Sequence, residues 1–389
     1  MPPTAGAEAG PGAPVGYVAV AGRACYFGNW TNLGVGSMDG NDNSEQRTSR
    51  LLDRPLDRTR LRVDIEPADY DMAPLALEVL VPGEPTPVDL YLPLFEQGKV
   101  VMTPACQRGE EFRAQWRDRL MAADQRVVFV RLEQSQELND YFQRMAPAIM
   151  EDSSRPLRNK AMVVQELAVL NLNTLFNAEE ITPKVLKKTV DRVQQTVQRI
   201  TSTPQLMTNM STILRTDYSV YTHSVNVCML CMALARYLGR SEAYVHAMGV
   251  GGMMHDVGRA KLPRSLTTKT GPLSEQEMAL MRNHPQLGYQ MVSQVGAVPY
   301  DSLMIVLHHH ENADGSGYPH GLKAEKTPLP ARLARMVDAF DAMTSTRPHQ
   351  DARSAYQAAA TMMQERDSVF GADLVPTFVR FLASPFITA

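Results

Sequence analysis

Short apolar runs alternate with turn residues between residues 56 and 150. Four of these runs, bounded by Pro and Gly, have the length and composition of β-strands, and they span 75–81, 88–92, 99–102 and 126–132. Gln97-Gly98, between two of the runs, predicts a β-hairpin. Residues 110–123 and 135–145 carry apolar side chains at helical spacing. The pattern therefore predicts a small α+β domain over 56–150.

From residue 151 onward the apolar positions recur at helical spacing. Thr182-Pro183 is typical of a helix start, because threonine caps the N-terminus and proline fits the first turn. The helix that follows has one apolar face, which either packs on the next domain or pairs with its copy in a dimer, and we favour intramolecular packing. We expect a mostly α protein, with a helical linker over 151–204 and an all-helical bundle over 205–389.

Composition narrows the class of protein. Residues 1–55 are rich in Gly, Ala, Pro and Asn, which predicts a disordered extension. A net charge of −3 gives no basic excess for binding a DNA or RNA duplex. No apolar run reaches the roughly 18 residues of a membrane span, no secretory signal is expected, and four scattered cysteines do not make a disulfide framework. We expect a cytoplasmic protein without a membrane partner.

The histidines are concentrated in the second half of the chain. All nine lie after residue 222, and seven of them fall between His223 and His310. Histidine is the commonest metal ligand and the side chain that titrates near neutral pH. The chemistry is therefore expected in the helical bundle. The α+β domain has no histidine and no phosphate-binding loop, and we interpret it as a regulatory or docking domain.

Five short segments carry the candidate chemistry. A lone histidine on an apolar helix is more often a core residue than a ligand, but five such segments on successive helices favour one shared site. The last of them places two aspartates at i, i+3 on an apolar helix, where a carboxylate requires a partner. The segments are His223, His255-Asp256, His284, the run from His309-His310 to Pro319, and Asp338 with Asp341.

Imidazole and carboxylate ligands together suit Mn, Fe, Ni or Zn rather than Ca or Mg. A centre of two ions needs about six or seven protein ligands and one bridging group. Asp256 has two carboxylate oxygens and adjoins a histidine, so it is the candidate bridge. In such a centre the ions activate a bridging water and hold a phosphate oxygen, which predicts hydrolysis of a phosphate ester. The matching residues are His223, His255, Asp256, His284, His309, His310 and Asp338.

The run His309-His310-Glu-x-x-Asp-Gly-x-Gly-Tyr-Pro, together with His255-Asp256, closely resembles the HD-GYP family, a branch of the HD phosphohydrolases. The resemblance covers about residues 205–375. It implies an HD-type all-helical bundle that hydrolyses the bacterial second messenger cyclic di-GMP to pGpG and onward to GMP with Fe or Mn ions. It also implies that the seven residues just named are the metal ligands.

The resemblance implies roles for residues around the metal ligands as well. Asp256 and Arg259 are the expected catalytic residues, and Arg259, Tyr318, Arg347 and Gly317 are expected to bind the substrate. Arg259 stands where the family usually has a lysine that contacts the phosphate. Arginine keeps the positive charge but does not donate a proton near neutral pH, so we expect binding to survive this change better than the rate.

Two further positions depart from the family pattern. Gln350 replaces a second cation, so we expect one substrate contact to be missing. Ser219 replaces the acidic residue of family members that hold a third metal, so we expect two divalent ions, Fe or Mn, with Ni and Zn as alternatives.

Two alternatives to an active cyclic di-GMP phosphodiesterase stay open. Arg259 and Gln350 favour a cyclic di-GMP-binding sensor with little turnover. The metal ligands alone also fit a phosphohydrolase of another cyclic or linear nucleotide. The expected partner is thus cyclic di-GMP or a related dinucleotide, and a homodimer through the N-terminal domain or the linker helix is a further open alternative.

Some chemistry-bearing residues are expected to lie outside the centre. His308 should point away, because adjacent helical residues are about 100° apart. Cys228 and Cys231 are expected to pack in the core. Asp341 is expected to orient a ligand rather than to be one, and His320 has no partner in the pattern.

Overall fold

The computed structural model describes residues 51–53, 56, 59–61, 72–176, 178, 180–203, 205–206, 220–267, 269, 271–345 and 352–384. Most of the predicted disordered extension lies outside these residues, as do Ser219, Arg347 and Gln350. The expectations for those positions stay predictions.

A four-stranded antiparallel sheet lies in the N-terminal part of the chain. Its strands are β1 Met72–Ala76, β2 Leu90–Glu96, β3 Lys99–Cys106 and β4 Val127–Arg131, in the order β1-β4-β2-β3. Gln97-Gly98 joins β2 to β3 with φ values of 48° and 83°. A two-residue hairpin turn requires such left-handed values, and glycine adopts them without a steric penalty. The predicted hairpin is therefore confirmed.

Two helices share an apolar core with this sheet. They are α1 Ala114–Ala122 and α2 Ser135–Glu151, both close to their predicted positions. Trp116 of α1 and Phe142 of α2 are fully buried beside Leu92 of β2. The indole nitrogen of Trp116 donates to Asp53 at 2.8 Å, so its single polar atom has a partner inside the fold. The predicted small α+β unit is present.

Two long helices, α3 Leu157–Phe176 and α4 Pro183–Thr201, follow the sheet. The hydroxyl of Thr182 accepts a hydrogen bond from the backbone N–H of Val185, so the predicted cap at the start of α4 is confirmed. The apolar face of α4 is buried in the larger, C-terminal core, which confirms intramolecular packing. The segment predicted as a linker is thus a pair of packed helices.

The remaining helices form a bundle around α5, which is apolar on all sides and almost completely buried, as expected of a central helix. The side chains of Ser241 and Ser274 cap the starts of α6 and α8. With the short sheet, this bundle confirms a mostly α protein. The helices are α5 Val220–Tyr237, α6 Glu242–Met254, α7 Arg264–Thr267, α8 Glu275–Met281, α9 His284–Ser293, α10 Tyr300–His308, α11 Leu329–Thr344, α12 Ala355–Gln364 and α13 Val375–Leu382.

Gly258 has a different role from the helix stop that its position suggests. Helix α6 ends earlier, at Met254, and Gly258 lies in a 3₁₀ turn over Val257–Lys261. A Cβ atom at Gly258 would lie under 3.0 Å from the carbonyl oxygen of His284 and the backbone nitrogen of Gly288. Glycine is therefore required so that this turn can touch the start of α9, and the contact places Asp256 beside His284.

Among the described residues, no helix is both long enough and apolar enough to cross a membrane.

Candidate metal centre

The bundle brings all seven predicted metal ligands to one place. Asp256, His284, His309 and His310 form one group, and His223, His255 and Asp256 form a second. Within each group one potential ligand atom per residue lies within 4.8 Å of the others. Asp256 is the only residue that the two groups share. The seven residues come from the following elements: α5 for His223, the end of α6 for His255 and Asp256, the start of α9 for His284, the end of α10 for His309 and His310, and α11 for Asp338.

The two carboxylate oxygens of Asp256 face different histidines. Oδ1 lies 3.1 Å from Nε2 of His284 and 3.9 Å from Nε2 of His309, whereas Oδ2 lies 3.3 Å from Nε2 of His255. Nε of Arg259 also approaches Oδ1, at 2.9 Å. A carboxylate with one oxygen toward each group has the arrangement required of a bridge.

The protonation state of four histidines can be derived from their Nδ1 partners. Nδ1 faces the carboxylate of Asp341 in His223, at 2.7 Å, and a backbone carbonyl in the other three. These oxygens only accept hydrogen bonds, so Nδ1 must donate. In a neutral imidazole Nε2 is then unprotonated and able to bind a metal ion, as is usual for metal-binding histidines. Nε2 of His223 also faces a carboxylate, that of Asp338 at 3.0 Å, so His223 can bind an ion there only in its neutral form. The three carbonyls belong to Gly252 for His255, Met281 for His284 and Ile305 for His309.

Helix α11 supplies two aspartates to opposite nitrogens of His223. Asp338 Oδ1 lies 3.0 Å from Nε2, and Asp341 Oδ2 lies 2.7 Å from Nδ1. The amide of Asn226 donates to the other oxygen of Asp341 at 2.9 Å. Asp341 therefore orients His223, the supporting position expected for it, and Asp338 lies on the side of the ring that faces the centre.

The electrostatics of the centre favour deprotonated ligands. Burial alone would raise the pKa of Asp256, but Arg259 and His255 hold that pKa well below its usual range. The pKa of Asp338 is likewise well below its usual range, because the contact with His223 outweighs burial. Burial, reinforced by the neighbouring histidines, lowers the pKa of His309 and of His310 well below the usual range. Metal ions bind carboxylates in the ionised form and imidazoles in the neutral form.

Several buried polar atoms of the centre lack a hydrogen-bond partner. Nε2 of His255 and both carboxylate oxygens of Asp256 are buried, and none makes a hydrogen bond of acceptable geometry to another described residue. Each such atom costs roughly 1–3 kcal/mol when nothing satisfies it. Divalent ions between the two groups would satisfy these atoms, so the residues present fit a metal centre.

The loop after α10 places an aromatic ring against the centre. The ring of Tyr318 stacks on that of His310, with centroids 4.7 Å apart and planes at 27°, and its backbone N–H donates to the His310 carbonyl. A Cβ atom at Gly317 would lie under 3.0 Å from the backbone of His310 and of Asn312, so glycine is needed for this close packing. The predicted substrate residues Tyr318 and Gly317 thus border the predicted metal ligands.

Arginines that the sequence did not single out also lie near the centre. Arg335, one turn before Asp338 on α11, places Nη1 4.0 Å from the Asp338 carboxylate and donates to Asn312. Arg335 and Arg353 line an open cleft of about 320 Å³ beside α11. The guanidinium of Arg282 lies 5.7 Å from the ring centroid of Tyr318. In the sequence, Arg335 could have been placed near the centre only from its position three residues before Asp338 on the same helix.

His308 lies outside the two ligand groups, as expected. It forms a separate cluster with Glu311 and His320, whose potential ligand atoms also lie within 4.8 Å of one another. Sequence reasoning missed this cluster because His320 follows Glu311 by nine residues and reaches it only through a turn of the loop. Cys228 and Cys231 are completely buried in α5, in the core position expected for them.

Comparison with known proteins places the centre in context. A family model described as HD domain matches residues 181–374, so the match begins with helix α4. The cyclic di-GMP phosphodiesterase PA4108 of Pseudomonas aeruginosa is 38% identical over 164 residues, which are 41% of this chain and 39% of that protein. The 3′3′-cGAMP-specific phosphodiesterase 1 of Vibrio cholerae is 32% identical over 148 residues, which are 37% of this chain and 33% of that protein. The chain therefore spans less than half the length of these curated relatives.

A solved structure resembles the fold over more of the chain. Bd1817, a HDG"Y"P protein from Bdellovibrio bacteriovorus, covers 81% of this chain and 100% of its own with a TM-score of 0.57. Its sequence is 20% identical, so the likeness concerns the fold alone.

Proposed function

The chain belongs to the HD-domain family through residues 181–374, and from this premise we propose that it is a metal-dependent phosphodiesterase that hydrolyses cyclic di-GMP to pGpG, GMP or both. One observation carries the proposal: two groups of candidate metal-binding side chains, buried except for the half-buried His310, share a single carboxylate, that of Asp256. The similarity to PA4108, named as a cyclic di-GMP phosphodiesterase, supports this substrate.

The proposed centre holds two divalent ions, Fe or Mn. His223, His255 and Asp338 would hold one ion, His284, His309 and His310 the other, and Asp256 would contribute one oxygen to each. When bound, such ions activate water at neutral pH and stabilise the negative charge that develops on a phosphate. The backbone carbonyls and Asp341 hold the proton of each neutral imidazole on Nδ1 and orient the ring, so Nε2 is the nitrogen that would bind an ion.

Arg259 and Tyr318 are proposed to receive the substrate. The guanidinium of Arg259 is held next to Asp256, and its side chain is 22% exposed, so it can reach a phosphate at the mouth of the centre. A guanidinium binds phosphate through two parallel hydrogen bonds but keeps its proton near neutral pH. We assign Arg259 to charge stabilisation, and Arg347 to a second phosphate contact on the family resemblance. Tyr318 offers an aromatic surface beside His310 for a base or ribose.

Positive charge from α11 compensates for Gln350 in this proposal. Arg335 lies 4.0 Å from Asp338 and, with Arg353, lines the neighbouring cleft. A dinucleotide carries two phosphates, and one bound at the metal ions leaves the other to be neutralised nearby. Arg335 is the described cation closest to Asp338 in this cleft and therefore the candidate for that contact.

A second candidate function is hydrolysis of a mixed cyclic dinucleotide. The observation that favours it is the 32% identity to a phosphodiesterase named as specific for 3′3′-cGAMP. The two substrates differ in one base, so the metal ligands do not discriminate between them. A sensor with little turnover remains the alternative that Arg259 favours.

Product analysis under anaerobic, reducing conditions tests the proposal. Protein loaded with Mn²⁺ or Fe²⁺ is incubated with cyclic di-GMP and with 3′3′-cGAMP, and linear products are separated by chromatography while binding is measured by calorimetry. The proposal predicts pGpG or GMP and a higher kcat/KM for cyclic di-GMP. Binding without product in both the native protein and Arg259→Lys contradicts it, and faster cleavage of 3′3′-cGAMP moves the assignment to the second candidate.

A further inference from the structure

A second cluster of potential metal-binding side chains, made of His308, Glu311 and His320, shares no residue with the two groups around Asp256. Nδ1 of His308 lies 3.5 Å from Oε1 of Glu311, and Nδ1 of His320 lies 4.0 Å from the same oxygen. The two imidazole rings are 5.3 Å apart between centroids. His308 is the last residue of α10, Glu311 lies in the turn after it, and His320 lies in the loop just beyond Pro319.

The hydrogen bonds of the loop account for Glu311 but leave His308 unexplained. Oε1 of Glu311 accepts a hydrogen bond from the backbone N–H of His320, and Oε2 accepts one from the backbone N–H of Leu322, both at 2.8 Å. These bonds explain why a carboxylate is buried at this position. His308 is 7% exposed, and its Nδ1 is buried without a hydrogen-bond partner among the described residues. A buried, unpartnered nitrogen that points at a carboxylate and a second imidazole requires a reason of its own.

We propose that His308, Glu311 and His320 bind a divalent transition-metal ion, for which Zn²⁺ is the matched probe. Two imidazoles and one carboxylate are a ligand set that Zn²⁺ accepts, with a fourth position left for water. At metal–ligand distances of about 2.1 Å, tetrahedral ligands lie about 3.4 Å apart. The His308–Glu311 distance of 3.5 Å already meets this value.

The third ligand needs only a small movement. His320 must approach Glu311 by about half an ångström and bring its ligand nitrogen to about 3.4 Å from that of His308, from a present separation within 4.8 Å. Its side chain is 47% exposed and therefore free of tight packing. Glu311 keeps both backbone hydrogen bonds, because a carboxylate oxygen can accept from two directions. Binding would connect the end of α10 to the loop that carries Tyr318.

This site is separate from the centre at Asp256, and its existence does not depend on the proposed hydrolysis. Its ligands are different residues, and one of them is reached directly from solvent. The inference therefore does not depend on the result of the product analysis. The cluster can also fail to bind an ion while hydrolysis is observed.

Diffraction locates the ion directly. Crystals of the full chain are soaked in ZnCl₂, and data are collected above and below the zinc absorption edge. The inference predicts an anomalous peak bonded to Nδ1 of His308, to Glu311 and to His320. A map with peaks at the Asp256 centre but none at this cluster overturns it.

Zinc binding in solution provides the second measurement. A chromophoric chelator is used to count zinc equivalents in the native protein, in His320→Ala and in His246→Ala, which removes a histidine outside both clusters. The inference predicts that His320→Ala lowers the affinity of one equivalent at least tenfold, whereas His246→Ala leaves all equivalents unchanged. Identical titrations of native protein and His320→Ala, with unchanged circular dichroism, contradict it.

Discussion

At the scale of single residues, the centre depends on which nitrogen of each histidine carries the proton. Three of the histidines donate Nδ1–H to backbone carbonyls three or four residues earlier in the chain, and His223 donates to Asp341. The first three partners are backbone atoms and cannot be removed by mutation. Asp341 is the exception, and it makes the protonation state of His223 open to experiment.

Asp341→Asn is predicted to weaken metal binding about 10- to 100-fold, the usual cost of losing a partner that orients a ligand. The amide nitrogen of the new side chain would face either Nδ1 of His223 or the donating amide of Asn226, so one hydrogen bond is lost. Metal titration followed by calorimetry measures the change. The control is Asp367→Asn, whose side chain is 75% exposed and belongs to neither ligand group; equal affinities for both variants would contradict the orienting role.

The sequence predicted the seven ligand candidates but not all of their surroundings. Residue type and order were sufficient for His223, His255 and the others, because each lies on or beside a recognisable helix. The partners of Nδ1 are mostly backbone carbonyls, which every residue has, so no pattern marks them. The cluster at His308 and the place of Arg335 depend on how the loop and α11 fold back on the centre, which short-range patterns do not encode.

At the scale of elements, the close contact between the 3₁₀ turn and α9 sets the distance between Asp256 and His284. Gly258 packs against the carbonyl of His284 and the nitrogen of Gly288, which are backbone atoms that have nowhere to move without shifting the helix. Two glycines facing each other thus allow two elements to touch. The alignment of the ligands is a consequence of that contact.

Gly258→Ala is predicted to destabilise the protein by about 1–3 kcal/mol and to weaken metal binding, because the added methyl group forces α9 away. Urea denaturation and metal titration measure the two effects. The matched control is Gly271→Ala, where an added Cβ meets nothing within 4 Å and the φ value is not left-handed. If both variants behave alike, the close packing has no role in placing His284.

Helix α5 gives a prediction about its two cysteines. Burial raises the pKa of the Cys228 thiol and of the Cys231 thiol well above the usual range, so the reactive thiolate is scarcer at pH 8 than in a free cysteine. Both should resist iodoacetamide in the native protein and react after denaturation. Mass spectrometry of the peptides measures this, and rapid labelling of native Cys231 would show that α5 is not in the core.

The elements themselves were largely predictable, and their ends were less so. Apolar spacing and the cap at Thr182 placed the helices, since these signals are local. Gly258 would suggest a helix end in the sequence, although α6 ends at Met254, because a glycine that allows close packing cannot be told by residue type from one that ends a helix. The distinction lies in α9, some thirty residues away along the chain.

At the scale of the whole molecule, helix α3 joins two hydrophobic cores. Val163 and Leu167 are buried with the sheet and α2, whereas Val164 and Ala168 are buried with the helical bundle. The sequence predicted a linker here, because an apolar helix between two domains does not reveal from its own pattern how many surfaces cover it. A helix buried on both sides couples the stability of the two parts.

The sheet and the bundle are therefore predicted to unfold together. In a Trp30→Phe background, fluorescence of Trp116 reports on the smaller core and circular dichroism reports mainly on the bundle. The two signals should give one midpoint in urea. Leu167→Ala should lower the free energy of unfolding obtained from each signal by about 2–5 kcal/mol. Two separate midpoints would show that α3 does not couple the cores.

The central claim is that one carboxylate, Asp256, joins two groups of ligands into a centre that cleaves a cyclic dinucleotide. The most direct test counts the ions and the product in one sample. Protein with His320→Ala, which removes the second cluster, is loaded anaerobically with Mn²⁺, and Mn per chain and cyclic di-GMP hydrolysis are measured beside the same protein with Asp256→Asn. Without the Asp256 change we expect two Mn ions per chain and linear product. With Asp256→Asn we expect fewer than two ions per chain and no product. One ion or none before the change, or two ions retained after it, would contradict the claim.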